Sequence, residues 1–193
     1  MDHTNHDCLL VAIMTHGEEN GFLYAKDNKY NAEEVWDCFK AVKSLAGKPK
    51  IFLFQACRGS KMEERTIIPC GSGVPRCSII PSNADYLMVY SCIEGTYMMN
   101  TFVFLVFKKL GAKGYASWRN TSEGSWFIQD LCKDINEYKD KEDMLSILTH
   151  TLRRVAYTRC SNVPTDPDKD GRQEMPVFSS TLTKLLYFYE TSH

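Results

Sequence analysis

The chain has 193 residues, 44% of them hydrophobic, and a formal net charge of −1, which is enough to close one domain around a sizeable core and excludes binding nucleic acid through a broad basic face. The opening Met1-Asp2-His3-Thr4 is polar and lacks the basic, apolar and small-residue succession of a secretory leader. Its eight cysteines (8, 38, 57, 70, 77, 92, 132 and 160) fall mostly in apolar runs, a pattern that favours buried thiols in a reducing compartment over a disulfide scaffold.

Residues 8–15 are apolar without interruption until Thr15, as in a strand buried on both faces. His16-Gly17-Glu18 follows. Asn31 with Glu34 three residues later forms a capping box, and the helix it starts carries Val35, Phe39 and Val42 on one face. Residues 50–56 read as a second apolar strand that ends at Cys57. Residues 61–83 read as a linker: charged at 61–65, then broken by Pro69, Gly71, Gly73, Pro75 and Pro81. A third strand covers residues 85–92. Residues 96–114 hold a further apolar run, 102–107, far too short to span a membrane. Ser125 is placed to cap a helix with Phe127, Ile128, Leu131, Cys132 and Ile135 inward, and residues 142–158 form another helix with Leu145, Leu148, Leu152 and Val155 in register. The last element, 177–190, is strand-like.

Apolar strands alternating with amphipathic helices predict an α/β fold with a mostly parallel sheet. Reactive groups in such sheets sit beyond the carboxyl ends of the strands. His16 follows the first run and Cys57 the second, so both emerge at one edge. A thiolate attacks a carbonyl, and a neighbouring imidazole serves as base or ion-pair partner and then protonates the leaving amine. The tetrahedral oxyanion needs preorganised donors, for which the backbone N–H groups of Gly17 and Cys57 are candidates. His3, His6, His150 and His193 read as surface or capping residues, and Cys38, Cys92 and Cys132 as core thiols. Cys70 and Cys77 lack a second pair and a nearby histidine, so no zinc site is expected.

Residues 55–59 read Gln-Ala-Cys-Arg-Gly, and His16 lies 41 residues before Cys57. That five-residue pattern with a histidine roughly 50 residues upstream resembles the nucleophile signature of caspases. Residues 115–126, Tyr-Ala-Ser-Trp-Arg-Asn-Thr-Ser-Glu-Gly-Ser-Trp, resemble the caspase substrate loop. Gly47-Lys48-Pro49-Lys50, Asp85-Tyr86-Leu87 and the closing Leu182–Phe188 run extend the likeness from about Asp7 to the end.

The resemblance implies a three-layer α/β/α fold with a central, mostly parallel sheet, as one catalytic domain: residues 1–60 from the large-subunit region, 61–83 the intersubunit linker and 84–193 the small-subunit region. It implies a cytoplasmic cysteine endopeptidase that cuts proteins after aspartate in programmed cell death, without cofactor or metal. His16 and Cys57 are then the dyad, and Gly17 and Cys57 the oxyanion donors. Arg119 supplies the planar two-donor cation an aspartate carboxylate requires, and Gln55 donates an amide to the same group. Ser117 and Trp118 wall the groove, and Asn120 and Trp126 line its fourth pocket. The expected partners are aspartate-containing protein substrates, inhibitor proteins and a second copy of the chain joined through the final strand; nucleic acid and membrane are not expected.

Four features depart from the family pattern. The strand, helix and arginine-bearing loop that precede residues 8–15 in the family have no counterpart here, residues 96–114 read as an insertion, and the linker holds no aspartate at which zymogens are commonly cut. Ala116 also stands where an aromatic is usual. No recruitment domain is read before the catalytic part, which resembles an executioner, and removal of a prodomain by truncation stays open as the equal alternative. Two alternatives stay open: a caspase-like decoy that binds an intact relative without cutting, and a metacaspase-type peptidase, against which Arg119 speaks.

Overall fold

A computed structural model describes residues 2–57, 84–92 and 124–189, with the backbone alone at 119–120. The expected linker and insertion lie outside these residues, as do Ser117 and Trp118. The chain runs β1 (Leu9–Met14), a hairpin of β2 (Phe22–Tyr24) and β3 (Lys29–Asn31), α1 (Ala32–Lys40), β4 (Lys50–Gln55), β5 (Tyr86–Tyr90), β6 (Arg119–Asn120), β7 (Gly124–Ser125), α2 (Trp126–Tyr138), α3 (Met144–Thr158) and β8 (Val177–Ser180).

The central sheet has the order β1-β4-β5-β8. β1, β4 and β5 are parallel, and β8 returns antiparallel to β5. β4 sits in the middle and sends its side chains to both layers. Phe52 and Phe54 pack with Val35, Trp36 and Phe39 of α1 on one face. Ile51 and Leu53 pack with Phe127, Leu131, Met144 and Leu148 of α2 and α3 on the other. Burial on two sides explains why this strand reads as an unbroken apolar run. The aromatic face is layered, with Phe52 stacked on Tyr86 at 6.2 Å and Phe54 on Tyr90 at 5.1 Å between ring centroids. The α/β/α arrangement predicted from sequence is therefore the observed one.

The capping box on α1 is formed: the Asn31 side chain accepts from Glu33 N–H at 2.9 Å, and Glu34 Oε1 accepts from Asn31 N–H at 3.0 Å. α3 starts at Met144, slightly later than residue 142, because Asp143 takes the N-cap and accepts from Leu145 N–H at 2.9 Å.

Several expectations are corrected. β1 is not buried on both faces; Leu10 and Met14 are 53% and 66% exposed, since no described helix covers that side of the edge strand. Most cysteines are not core thiols: Cys8, Cys38, Cys132 and Cys160 are exposed, Cys57 is half-buried, and Cys92 is buried. On α2 the inward stripe takes Asp130 and Asp134 in place of Cys132. Both acids are tied to α3 and the loop after it: Arg159 Nη2 donates to Asp130 at 2.8 Å, and Arg154 Nε donates to Asp134 at 2.9 Å. His150 is no plain surface residue; it is half-buried, stacks on Tyr138 and bonds Glu142 at 2.9 Å. The final element is strand only over Val177–Ser180. Beyond it Thr183 bonds Asp85, and Leu182 and Leu186 turn into the core.

Candidate active site

β1 and β4 end in step. Met14 lies opposite Gln55, and Thr15 N–H donates to the Gln55 carbonyl at 3.1 Å. The next residues, His16 and Gly17 on one chain and Ala56 and Cys57 on the other, leave adjacent carboxyl ends together. Gly17 sits directly against the nucleophile segment. A Cβ at this position would fall inside van der Waals contact of the Cys57 carbonyl oxygen and 3.1 Å from Ala56 Cβ. Glycine is needed here for this close approach to the cysteine's own backbone.

The β2–β3 hairpin holds the histidine segment. Tyr24 N–H donates to the His16 carbonyl at 3.0 Å and Glu18 N–H to the Phe22 carbonyl at 2.8 Å. Gly17 bridges Leu23 between these bonds. It is thus a non-hydrogen-bonded pair, and the Gly17 N–H points away from the hairpin. Thr15 Oγ1 adds a bond to the Tyr24 carbonyl at 2.6 Å. The Glu18 carboxylate accepts from Lys29 Nζ at 2.7 Å and from the Tyr24 hydroxyl. The Lys29 bond holds the Glu18 carboxyl below its ordinary pKa, and the same bond raises Lys29.

On the other side, Ser91 Oγ and Cys92 Sγ each contact the Ala56 carbonyl at 3.4 Å. A small pocket beside Cys57 is lined by Leu23, Phe54, Ala56 and Tyr90. β6 and β7 complete the rim: Arg119 pairs with Ser125 and Asn120 with Gly124. The Ser125 hydroxyl donates to Gln55 Oε1. Trp126, half-buried, is the first residue of α2.

His16, Gly17, Gln55 and Cys57 are therefore gathered at one sheet edge, with His16 exposed. The backbones of Arg119 and Asn120 reach the same rim through Ser125, while their side chains, Ser117 and Trp118 lie outside the described residues. Sequence reading missed the hairpin, whose strands of three residues are too short to show alternation. It also took Ser125 for a helix cap, yet that side chain makes no capping bond.

A family model described as "Caspase domain" matches residues 1–103 and 105–187. Caspase-1 of Drosophila melanogaster is 38% identical over 195 residues, covering 97% of this chain and 54% of that protein. Caspase-3 of Oryctolagus cuniculus is 36% identical over 193 residues, covering 97% of this chain and 61% of that protein. The crystal structure of Caspase-1 from Spodoptera frugiperda matches with a TM-score of 0.77 at 38% identity, over 100% of this chain and 68% of that chain. The chain spans roughly half to three-fifths of the length of the curated relatives it matches.

Proposed function

The chain belongs to the caspase family, and from that membership we propose that it is a cysteine endopeptidase cutting proteins after aspartate in programmed cell death. Cys57, as thiolate, attacks the scissile carbonyl; His16 passes a proton to the leaving amine, a transfer typically worth about 10²–10⁴ in rate. The Gly17 and Cys57 N–H groups hold the oxyanion. Arg119 and Gln55 hold the aspartate carboxylate, Ser117 and Trp118 wall the groove beside it, and Asn120 and Trp126 line the fourth pocket. The site acts without metal or cofactor, and the protein works in the cytoplasm as a homodimer subject to inhibitor proteins.

The observation that carries this reading is the convergence of three distant segments. Thr15 is bonded to Gln55, Gly17 lies against Cys57, and Ser125 joins Gln55 to the Arg119 strand. A fluorogenic peptide ending in aspartate tests it. Turnover by the purified chain, abolished by Cys57→Ala, is the expected result; cleavage after arginine or lysine instead would assign a metacaspase-type specificity.

A second reading is a decoy that binds an intact relative without cutting. The exposed Leu10 and Met14 on the edge strand β1 favour it, because such a face is covered when another chain packs there. Absence of turnover together with stable binding to an active caspase supports this second reading.

A further inference from the structure

The β2–β3 hairpin has strands of three residues, and two strands this short are marginal by themselves. The histidine segment nevertheless depends on it: Tyr24 N–H donates to the His16 carbonyl, and Gly17 bridges Leu23. Leu23 anchors the hairpin from inside, buried in the aromatic core. Its outer side is closed by three side chains, one from each segment. Glu18 follows His16-Gly17, Tyr24 ends β2, and Lys29 stands opposite Tyr24 at the start of β3. Lys29 Nζ donates to both Glu18 carboxylate oxygens, at 2.9 and 2.7 Å, and lies over the Tyr24 ring at 4.8 Å from its centroid. The Tyr24 hydroxyl donates to the same carboxylate. Glu18 also lines the small pocket beside Cys57.

The Lys29 and Glu18 side chains are 46% and 44% exposed, and an ion pair in that setting adds little to stability. What the cluster does fix is geometry, since one carboxylate grips both strands of the hairpin at once. Its bond to Lys29 lowers the Glu18 carboxyl and raises Lys29, so both stay charged through the neutral range. We propose that Glu18 is a positioning residue: by clasping Lys29 and Tyr24 it holds the hairpin in register, and the hairpin sets where His16 and the Gly17 N–H stand relative to Cys57. This rests on the protease reading, in which His16 passes the proton and Gly17 holds the oxyanion. Glu18 takes no part in either step. Both interactions belong to the transition state, where a small displacement is costly, so loss of the clasp acts on kcat more than on KM.

The test compares the wild-type chain with Glu18→Gln, Lys29→Met, Lys29→Arg and the Glu18→Gln/Lys29→Met double variant, using peptides that end in aspartate. The expected result is a roughly fivefold fall in kcat for Glu18→Gln and for Lys29→Met, with KM held, no further fall in the double variant, and recovery in Lys29→Arg. Melting temperature is expected to move by no more than a few degrees in any of them. Raising sodium chloride from about 0.05 M to about 1 M is expected to lower the wild-type kcat toward that of Glu18→Gln and to leave Glu18→Gln unchanged. Additive falls, an equal salt response in both proteins, or no fall at all overturns the proposal. Hydrogen exchange of the Tyr24 amide, followed by NMR, decides the matter without turnover, because that N–H is the one bonded to His16. Should the wild-type chain cut no aspartyl peptide, the protease reading fails and the clasp is still tested: faster exchange in Glu18→Gln and Lys29→Met, with protection kept in Lys29→Arg, supports it, and unmoved exchange overturns it.

Discussion

Gly17 shows how much of the site depends on a missing atom. Its place against the Cys57 carbonyl and Ala56 Cβ leaves no room for a methyl group. Gly17→Ala must push the histidine segment away from the cysteine segment, and overpacking of this kind typically costs about 1–3 kcal/mol. The expected outcome is a lower melting temperature together with a fall in kcat greater than any change in KM, since the Gly17 N–H is an oxyanion donor in the proposed mechanism. Differential scanning fluorimetry and steady-state kinetics check both halves. That the segments carrying His16 and Cys57 lie side by side was legible because each residue follows an apolar run, and parallel strands bring such ends together. The reason for glycine between them was not legible, because its neighbour lies 40 residues further along the chain.

At the scale of elements, contacts between segments correct what periodicity suggests. α1 follows its capping box as read, since that signal is local and complete within four residues. α2 does not follow its apolar stripe alone. Asp130 and Asp134 are buried on it because Arg159 and Arg154 arrive from the next helix and the loop beyond, and nothing within α2 announces them. Lys50 is likewise buried, over the Tyr86 ring at 4.8 Å, with Nζ donating to the Lys48 carbonyl at 2.8 Å. Burial lowers its pKa. The return of β8 is pinned by Asp85, whose carboxylate accepts from the Thr183 hydroxyl at 2.6 Å and the Thr183 N–H at 3.1 Å. The hydroxyl bond keeps the Asp85 carboxyl below its ordinary value. A carboxyl with a depressed folded pKa contributes its stability above the unfolded value of about 4, and loses it as the pH falls through the folded value. Between about pH 5 and pH 3, the wild-type chain is therefore expected to lose more melting temperature than Asp85→Asn. Asparagine tolerates the positive φ of 65° at this position, so the comparison isolates the charge. Equal slopes for the two proteins would refute the assignment.

For the whole molecule, the two edges of the sheet differ. β1 ends one side with Leu10 and Met14 exposed, and β8 ends the other, followed by Leu185 and Phe188 at 63% and 45% exposure. The proposed homodimer would join two copies along the second edge, which would also shield an open strand from unspecific pairing. Sedimentation of the chain is expected to report a dimer, and Leu185→Asp combined with Phe188→Asp a monomer; a wild-type monomer would sink that expectation. The sequence by itself determined the α/β alternation, the order of the elements and the placing of His16 and Cys57 after successive apolar runs, because each of these is written in spacing a few residues long. Only the tertiary structure decided that Gly17 is wedged against Cys57, that the Ser125 hydroxyl bonds Gln55 and not its own helix, and that two aspartates lie inside the α2 interface. Each of these is a contact between groups tens of residues apart, fixed by which strands and helices become neighbours, and local periodicity carries no record of that.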